Sequence, residues 1–183
     1  ISRWRTRVLS PGASSVSFEF ADYQMPEGGQ LWIYDEHGQA VQGPYTAQNH
    51  TPEGKLWTAL VAGESAVIEA RLPTAARGAF RLALGQVFHG DVDLFKTGLI
   101  GNSAGSCNIN VACSTGNGWT DEARSTVALI FDVVGGRRAG AGTRRNKGAQ
   151  DNTPYILTAN HCGIGTTGSP SSSVVVYLLY QAT

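Results

Sequence analysis

Few side chains can move a proton near neutral pH, so the four histidines and three cysteines of this chain are where chemistry could reside. One of each sits in a single run, Pro154-Tyr155-Ile156-Leu157-Thr158-Ala159-Asn160-His161-Cys162-Gly163. Tyr155, Ile156 and Leu157 are strand formers and predict a short strand. Thr158 and Ala159 are small and allow close approach. An imidazole placed there, with an ordinary pKa of about 6.5, could take a proton from a hydroxyl nucleophile. The same residues also fit a histidine that caps a core strand beside a structural cysteine. Residue types alone leave both readings open. His37 and His50 fall in turns, and His89 precedes Gly90. They show no metal-ligand spacing and have no cysteine to help them. Asp91 and Asp93 lack a placed partner for paired-carboxylate work. Structural or solvated roles are expected for all five, with no metal and no cofactor.

The elements that would hold such groups follow from period. Val16, Phe18 and Phe20 alternate with polar residues, which predicts a strand with those three on one face. Pro26-Glu27-Gly28-Gly29 turns the chain into a strand at Leu31-Trp32-Ile33-Tyr34. Asp35-Glu36-His37-Gly38 predicts a tight turn, with Gly38 supplying positive φ. Gly43-Pro44-Tyr45 opens a polar loop to Gly54, and Leu56–Leu60 is the next strand, broken by Gly63-Glu64. Ile68, Ala70 and Leu72 alternate with Glu69 and Arg71, and Phe80, Leu82 and Leu84 repeat the pattern. Trp32 and Trp57 follow leucine in similar settings and read as core strands in preference to a sugar-binding platform. Strands about ten residues apart, without helical period, predict an antiparallel β-sandwich.

Composition agrees. The 183 residues are 42% hydrophobic and only 15% charged, with 23 glycines, as expected of a turn-rich all-β chain. A formal net charge of +0 gives no pull towards nucleic acid or an anionic membrane. No apolar run approaches the ~20 residues needed to span a bilayer. Ile1 is not an initiator methionine and no signal peptide is present, so a piece of a longer product is expected.

Leu157-Thr158-Ala159-Asn160-His161-Cys162 resembles the histidine motif of chymotrypsin-fold serine proteases. Ser103-Ala104-Gly105-Ser106-Cys107-Asn108 with Cys113 resembles the mature start of bacterial lysyl endopeptidases. Asp151-Asn152-Thr153-Pro154-Tyr155 is similar to that family's turn before the histidine strand, and Val174–Tyr177 with Tyr180-Gln181 to its next strand. Leu31–Asp35, Gly43–Thr46 and Gly54–Thr58 resemble the amino-terminal propeptide of the same precursors. The resemblance implies an all-β chain in two parts: residues 1–97 as a β-sandwich propeptide, and 98–183 as an incomplete chymotrypsin-like β-barrel. The linker lies between Phe95 and Ser103, where Lys96 could be a cleavage point.

The activity implied is peptide-bond hydrolysis by a secreted serine endopeptidase, with His161 as catalytic base. It acts on a protein or peptide substrate and makes an intramolecular propeptide–protease contact. No nucleic-acid or membrane partner is expected, and a monomer is. The aspartate and serine of the triad follow the histidine in that family, so this chain is expected to carry only the base and to be inactive alone. Asp132 and Asp151 precede His161, and Ser169, Ser171, Ser172 and Ser173 read as a polar loop without a Gly-x-Ser-Gly setting. The alternative is a non-catalytic β-sandwich binding or protease-inhibiting module with a degenerate protease remnant.

Several residues depart from the family. An odd cysteine count implies a free thiol, an intermolecular bond or missing sequence. The partner that the resemblance implies for Cys162 would stand at Gly140, within Ala139-Gly140-Ala141-Gly142-Thr143. Arg144 and Arg145 replace apolar residues on a strand expected to feed the barrel core, where burying a guanidinium is costly. Together with Arg137, Arg138 and Lys147 they could form an anion-binding patch, although altered or decayed sequence is the favoured explanation. Open strand edges are expected to leave residues 135–150 and the chain end poorly ordered or aggregation-prone.

Overall fold

The computed structural model describes residues 1–94, 109, 111–146, 148, 149, 151 and 153–179. The chain divides into two compact units, Ile1–Leu94 and Phe95–Thr183. It is all-β with short helical turns, and no closed barrel forms among the described residues. The proposed linker, with Lys96, lies outside the described residues.

The first unit is built from two antiparallel sheets that share one core. β1 (Ser2–Leu9), β7 (Ser65–Leu72), β3 (Gln30–Tyr34) and β4 (Val41–Tyr45) form one sheet in that order. β2 (Ser15–Gln24) pairs with β8 (Arg81–Gly90) on one side and with β5 (Leu56–Trp57) and β6 (Val61–Ala62) on the other. The alternating residues behave as period two requires. Val16, Phe18 and Phe20 meet Leu31, Ile33, Ile68, Ala70 and Leu72 in a single buried cluster. Each large side chain there contributes roughly 1.5–3 kcal/mol by leaving water. Between β5 and β6 the ladder is completed by Thr58, whose hydroxyl accepts from Phe18 N–H at 2.9 Å while its own N–H donates to Phe18 O at 3.0 Å.

Four expectations change. Gly43-Pro44-Tyr45 belongs to strand β4 and does not open a loop. The predicted strand 56–60 is two short pairs separated by Thr58–Leu60. Trp57 is buried as expected, but Trp32 lies on the outward face, half-buried, in register with Glu69. Leu84 is 45% exposed because register shifts between Glu19 and Asp22 put β8 out of phase with the core beyond Leu82. The Asp35–Gly38 turn forms as predicted: Gly38 has φ +70° and donates its N–H to Asp35 O at 3.0 Å.

Glu69 is the most consequential outward-facing residue. Its side chain is only 1% exposed, although it points away from the core. Arg3 Nη2 donates to it at 2.6 Å, Arg71 Nε at 2.6 Å and Tyr34 Oη at 2.8 Å. Burial alone would raise the carboxyl, but these donors and the positive charge of Arg3 outweigh it and hold the pKa at about 2. Three strands, β1, β7 and β3, are tied at one carboxylate.

The second unit contains one sheet, ordered β11-β10-β9-β12: β9 (Thr126–Val133), β10 (Gly136–Arg145), β11 (Tyr155–Leu157) and β12 (Val175–Leu178). A short helix, α1 (Thr120–Ser125), leads into β9. Val127, Leu129 and Phe131 alternate onto one face, where Ile156, Cys162, Ile164 and Val174 cover them. β10 is paired on both sides, so the open edges fall on β11 and β12 and not on residues 136–145.

Candidate functional site

β9 and β10 form a hairpin joined by Val134 and Gly135, the latter at φ +89° as such a tight turn requires. β10 then carries β11, with Thr143 opposite Leu157 and Arg145 opposite Tyr155. Before β11 the Asp151 carboxylate accepts from Thr153 N–H at 3.2 Å and Thr153 Oγ1 at 2.6 Å.

At the end of β11 the strand pairing stops, and Thr158 takes over. Its hydroxyl donates to Ala141 O at 2.8 Å, which holds the departing chain against β10 for one more residue. A single 3₁₀ turn follows at Asn160–Cys162, closed by Cys162 N–H to Ala159 O at 3.0 Å and Gly163 N–H to Asn160 O at 3.0 Å. Gly163 adopts φ +70°, a left-handed conformation that ends the turn at once. The consequence is a division of labour between neighbours. Cys162 packs inward against the Val127–Leu129–Phe131 cluster, while His161 is thrust outward and exposed.

His161 makes no hydrogen bond or ion pair with a described residue, so either ring nitrogen can meet a ligand. The carboxylates upstream are occupied. Asp132 accepts from Arg137 Nε at 2.7 Å, with both side chains largely buried at 14% and 6% exposure, and Asp151 accepts from Thr153. The structure thus presents an exposed imidazole on a 3₁₀ turn, with neither Asp132 nor Asp151 free to orient it. Among the described residues no group of three or more His, Cys, Asp or Glu could hold a metal ion.

The serine segment is a loop with a 3₁₀ turn, but it is anchored and not merely solvated. Ser169 and Ser173 are buried, at 3% and 0% exposure. Ser173 Oγ donates to Pro170 O at 2.7 Å and accepts from Asp132 N–H at 3.1 Å, while Ser173 O accepts from Arg137 Nη2 at 3.3 Å. With Asp132 and Arg137 it forms a clamp that fastens the 3₁₀ turn Ser171–Ser173 to the β9–β10 hairpin. Sequence offered no signal for this, because the partners are 36 and 41 residues away. The clamp also removes Arg137 from the supposed anion patch. Arg138 and Arg144 are exposed on one face of β10, but six residues apart, or ~20 Å at strand rise. The basic residues therefore do not converge; Lys147 lies outside the described residues. Arg144 and Arg145 stay in solvent at the open end of β10, so the expected burial penalty is not incurred.

Gly140, the position at which the resemblance implied a partner for Cys162, lies beside that thiol. An ideal Cβ on Gly140 would fall 3.9 Å from Cys162 Sγ and 3.1 Å from Phe131 Cε1. Cys113 and Cys162 are free thiols. The Ser103–Asn108 part of the amino-terminal motif, with Cys107, lies outside the described residues.

Residues 101–183 match the family described as the C-terminal domain of lysyl endopeptidase. This segment is similar to that family. The match begins after the first unit, so the protease relationship concerns the second unit. No solved structure matches the chain significantly.

Proposed function

We propose that the chain derives from a secreted serine endopeptidase precursor in which His161 is the general base and residues 1–94 form a propeptide-like domain. The observation that carries this reading is His161 itself: an exposed imidazole on a glycine-terminated turn, held by Thr158 and the partly buried Cys162, inside the segment that matches the lysyl endopeptidase family. In such an enzyme the imidazole removes the proton from the serine hydroxyl during attack on the scissile carbonyl, then returns it to the leaving amine. Asp132 and Asp151 are committed to structural bonds, which supports a carboxylate and a serine supplied from sequence after His161.

The test is amide hydrolysis by the full-length gene product, with His161→Ala beside it. The substitution should lower kcat by about 10⁴–10⁶-fold while circular dichroism and unfolding stay unchanged, since His161 makes no structural bond to a described residue. Equal activity in the variant would remove His161 from the mechanism. A second reading, a non-catalytic module bearing a protease remnant, is favoured by Gly140 standing 3.9 Å (as an added Cβ) from the unpaired Cys162. Binding of a related mature protease without hydrolysis by the full-length product would support it.

A further inference from the structure

The outward face of the first sheet carries a row of arginines along an open edge. Register places Arg3, Arg5 and Arg7 of β1 opposite Arg71, Glu69 and Val67 of β7, and β3 adds Gln30, Trp32 and Tyr34 to the same face. Among the described residues β1 pairs only with β7, so its other side is a strand edge there. Arg3 and Arg7 are each 56% exposed, held by Glu69 and Glu36 respectively. Arg5 faces the same way without an acidic partner among the described residues. The buried carboxylate of Glu69 anchors Arg3 and Arg71, whose side chains remain about half exposed.

We infer that β1 is a docking edge for an extended acidic polypeptide segment with carboxylates at every second residue, added as a further antiparallel or parallel strand. Three features of the edge converge on that partner. Alternate residues of an extended chain lie ~6.7 Å apart, which is the spacing of Arg3, Arg5 and Arg7, so a Glu-x-Glu-x-Glu segment matches the row in register. The open edge offers main-chain hydrogen bonds that a nucleic acid cannot use in this way. The charge of the unit disfavours a long polyanion: residues 1–94 contain seven Lys and Arg against ten Asp and Glu, a formal charge of −3. A short peptide senses the local row, within a Debye length of about 10 Å, more than the unit as a whole. This goes beyond the proteolytic reading and does not depend on it.

The experiment titrates the full chain with a fluorescein-labelled twelve-residue peptide of alternating Glu and Thr, following anisotropy at low salt. Parallel titrations use a peptide of the same composition with its glutamates in one block, an alternating Lys–Thr peptide and a twelve-nucleotide oligothymidylate. The alternating acidic peptide should bind tightest. Arg5→Gln and Arg7→Gln should each weaken it by ~2–5-fold, as expected for exposed ion pairs, and Arg5→Glu by more, with Arg5→Lys restoring most of the affinity. The β1 amides should gain hydrogen-exchange protection in the complex. Arg138→Gln with Arg144→Gln and Arg145→Gln, in the second unit, should change nothing. The inference is overturned if the oligonucleotide or the blocked peptide binds equally well, or if the loss follows the second-unit arginines. It is also overturned if Arg5→Gln raises self-association without altering peptide affinity, because the row would then only guard the edge against aggregation.

Discussion

The two units solve the burial problem differently. In the first, two sheets face each other and fourteen residues form one buried cluster. In the second, among the described residues, a single sheet buries Val127, Leu129 and Phe131 and relies on partly exposed neighbours to cover them. Their buried ion pairs differ in the same sense. Glu69 is deeply buried but held by arginines that remain about half exposed, whereas Asp132 and Arg137 are both largely buried. A sandwich seals itself and can place a charge on its outer face. A one-sided sheet must recruit its connecting turns, and here it uses the Ser173 and Cys162 turns for cover and the Thr158 hydroxyl to hold the chain between them.

The sharpest way to break that comparison is to open each core by one ring. Phe18→Ala should destabilise the first unit by about 3–5 kcal/mol, because Phe18 is fully buried between the sheets and a rigid cavity remains. Phe131→Ala should cost less than that, since the partly exposed Val133, Ile164 and Val174 can settle into the space. Urea unfolding followed at both units reads the two losses separately. Equal losses would mean that the second core is as closed as the first.

A staple tests the recruited turn. Gly140→Cys should pair with Cys162, and thiol titration should then count two fewer thiols than expected for the variant. Closing the intervening loop is worth ~3 kcal/mol in chain entropy, less the cost of moving the Phe131 ring, which an added Cβ would approach to 3.1 Å. Failure to pair under oxidising conditions would show that β10 and the Cys162 turn are not held as described.

Acid should separate the units. The Glu69 pKa is about 2 in the folded protein against an ordinary 4.5, so its stabilisation is complete above that ordinary value and is lost as pH falls from about 4.5 towards 2. The shift corresponds to roughly 2–3 kcal/mol once the exposure of Arg3 and Arg71 is allowed for. Thermal unfolding at pH 7 and pH 3 should show somewhat over half of this loss in the first unit, the rest following towards pH 2, and Glu69→Gln should flatten it. A pH profile unchanged by Glu69→Gln would place the acid sensitivity elsewhere.

Sequence made the local half of this legible. The alternation of Val16, Phe18 and Phe20, the Asp35–Gly38 turn and the strand before His161 each depend on residues a few positions apart, and all three form. What escaped depends on distant partners. Alternation puts Glu69 opposite the core face but carries no sign of its burial, because Arg3 arrives from 66 residues away, and the polar loop at Ser169–Ser173 carries no sign of its anchoring to Asp132 and Arg137. Leu84 was misplaced for another reason: the irregular pairing near Phe20 shifts the register, and period two carries no record of a bulge on the partner strand.

The smallest expected effect tests how His161 is presented. Thr158 holds the end of β11 to β10 through one hydroxyl bond to Ala141 O, and Cys162 Sγ lies 3.7 Å from the Thr158 hydroxyl. Thr158→Val keeps the volume and the β-branch but removes the donor, leaving a carbonyl without that partner. The cost should be ~1 kcal/mol, the usual net worth of one such bond. Hydrogen exchange across residues 155–163 should quicken while the Val127–Phe131 strand is unaffected. Under the proposed function, the loss in the full-length product should appear in kcat more than in KM, because a loosened turn misplaces the imidazole without removing substrate contacts. Phe131→Ala, by contrast, should disturb both strand and turn. If Thr158→Val leaves exchange at His161 unchanged, the 3₁₀ turn and Gly163 alone suffice to present the imidazole.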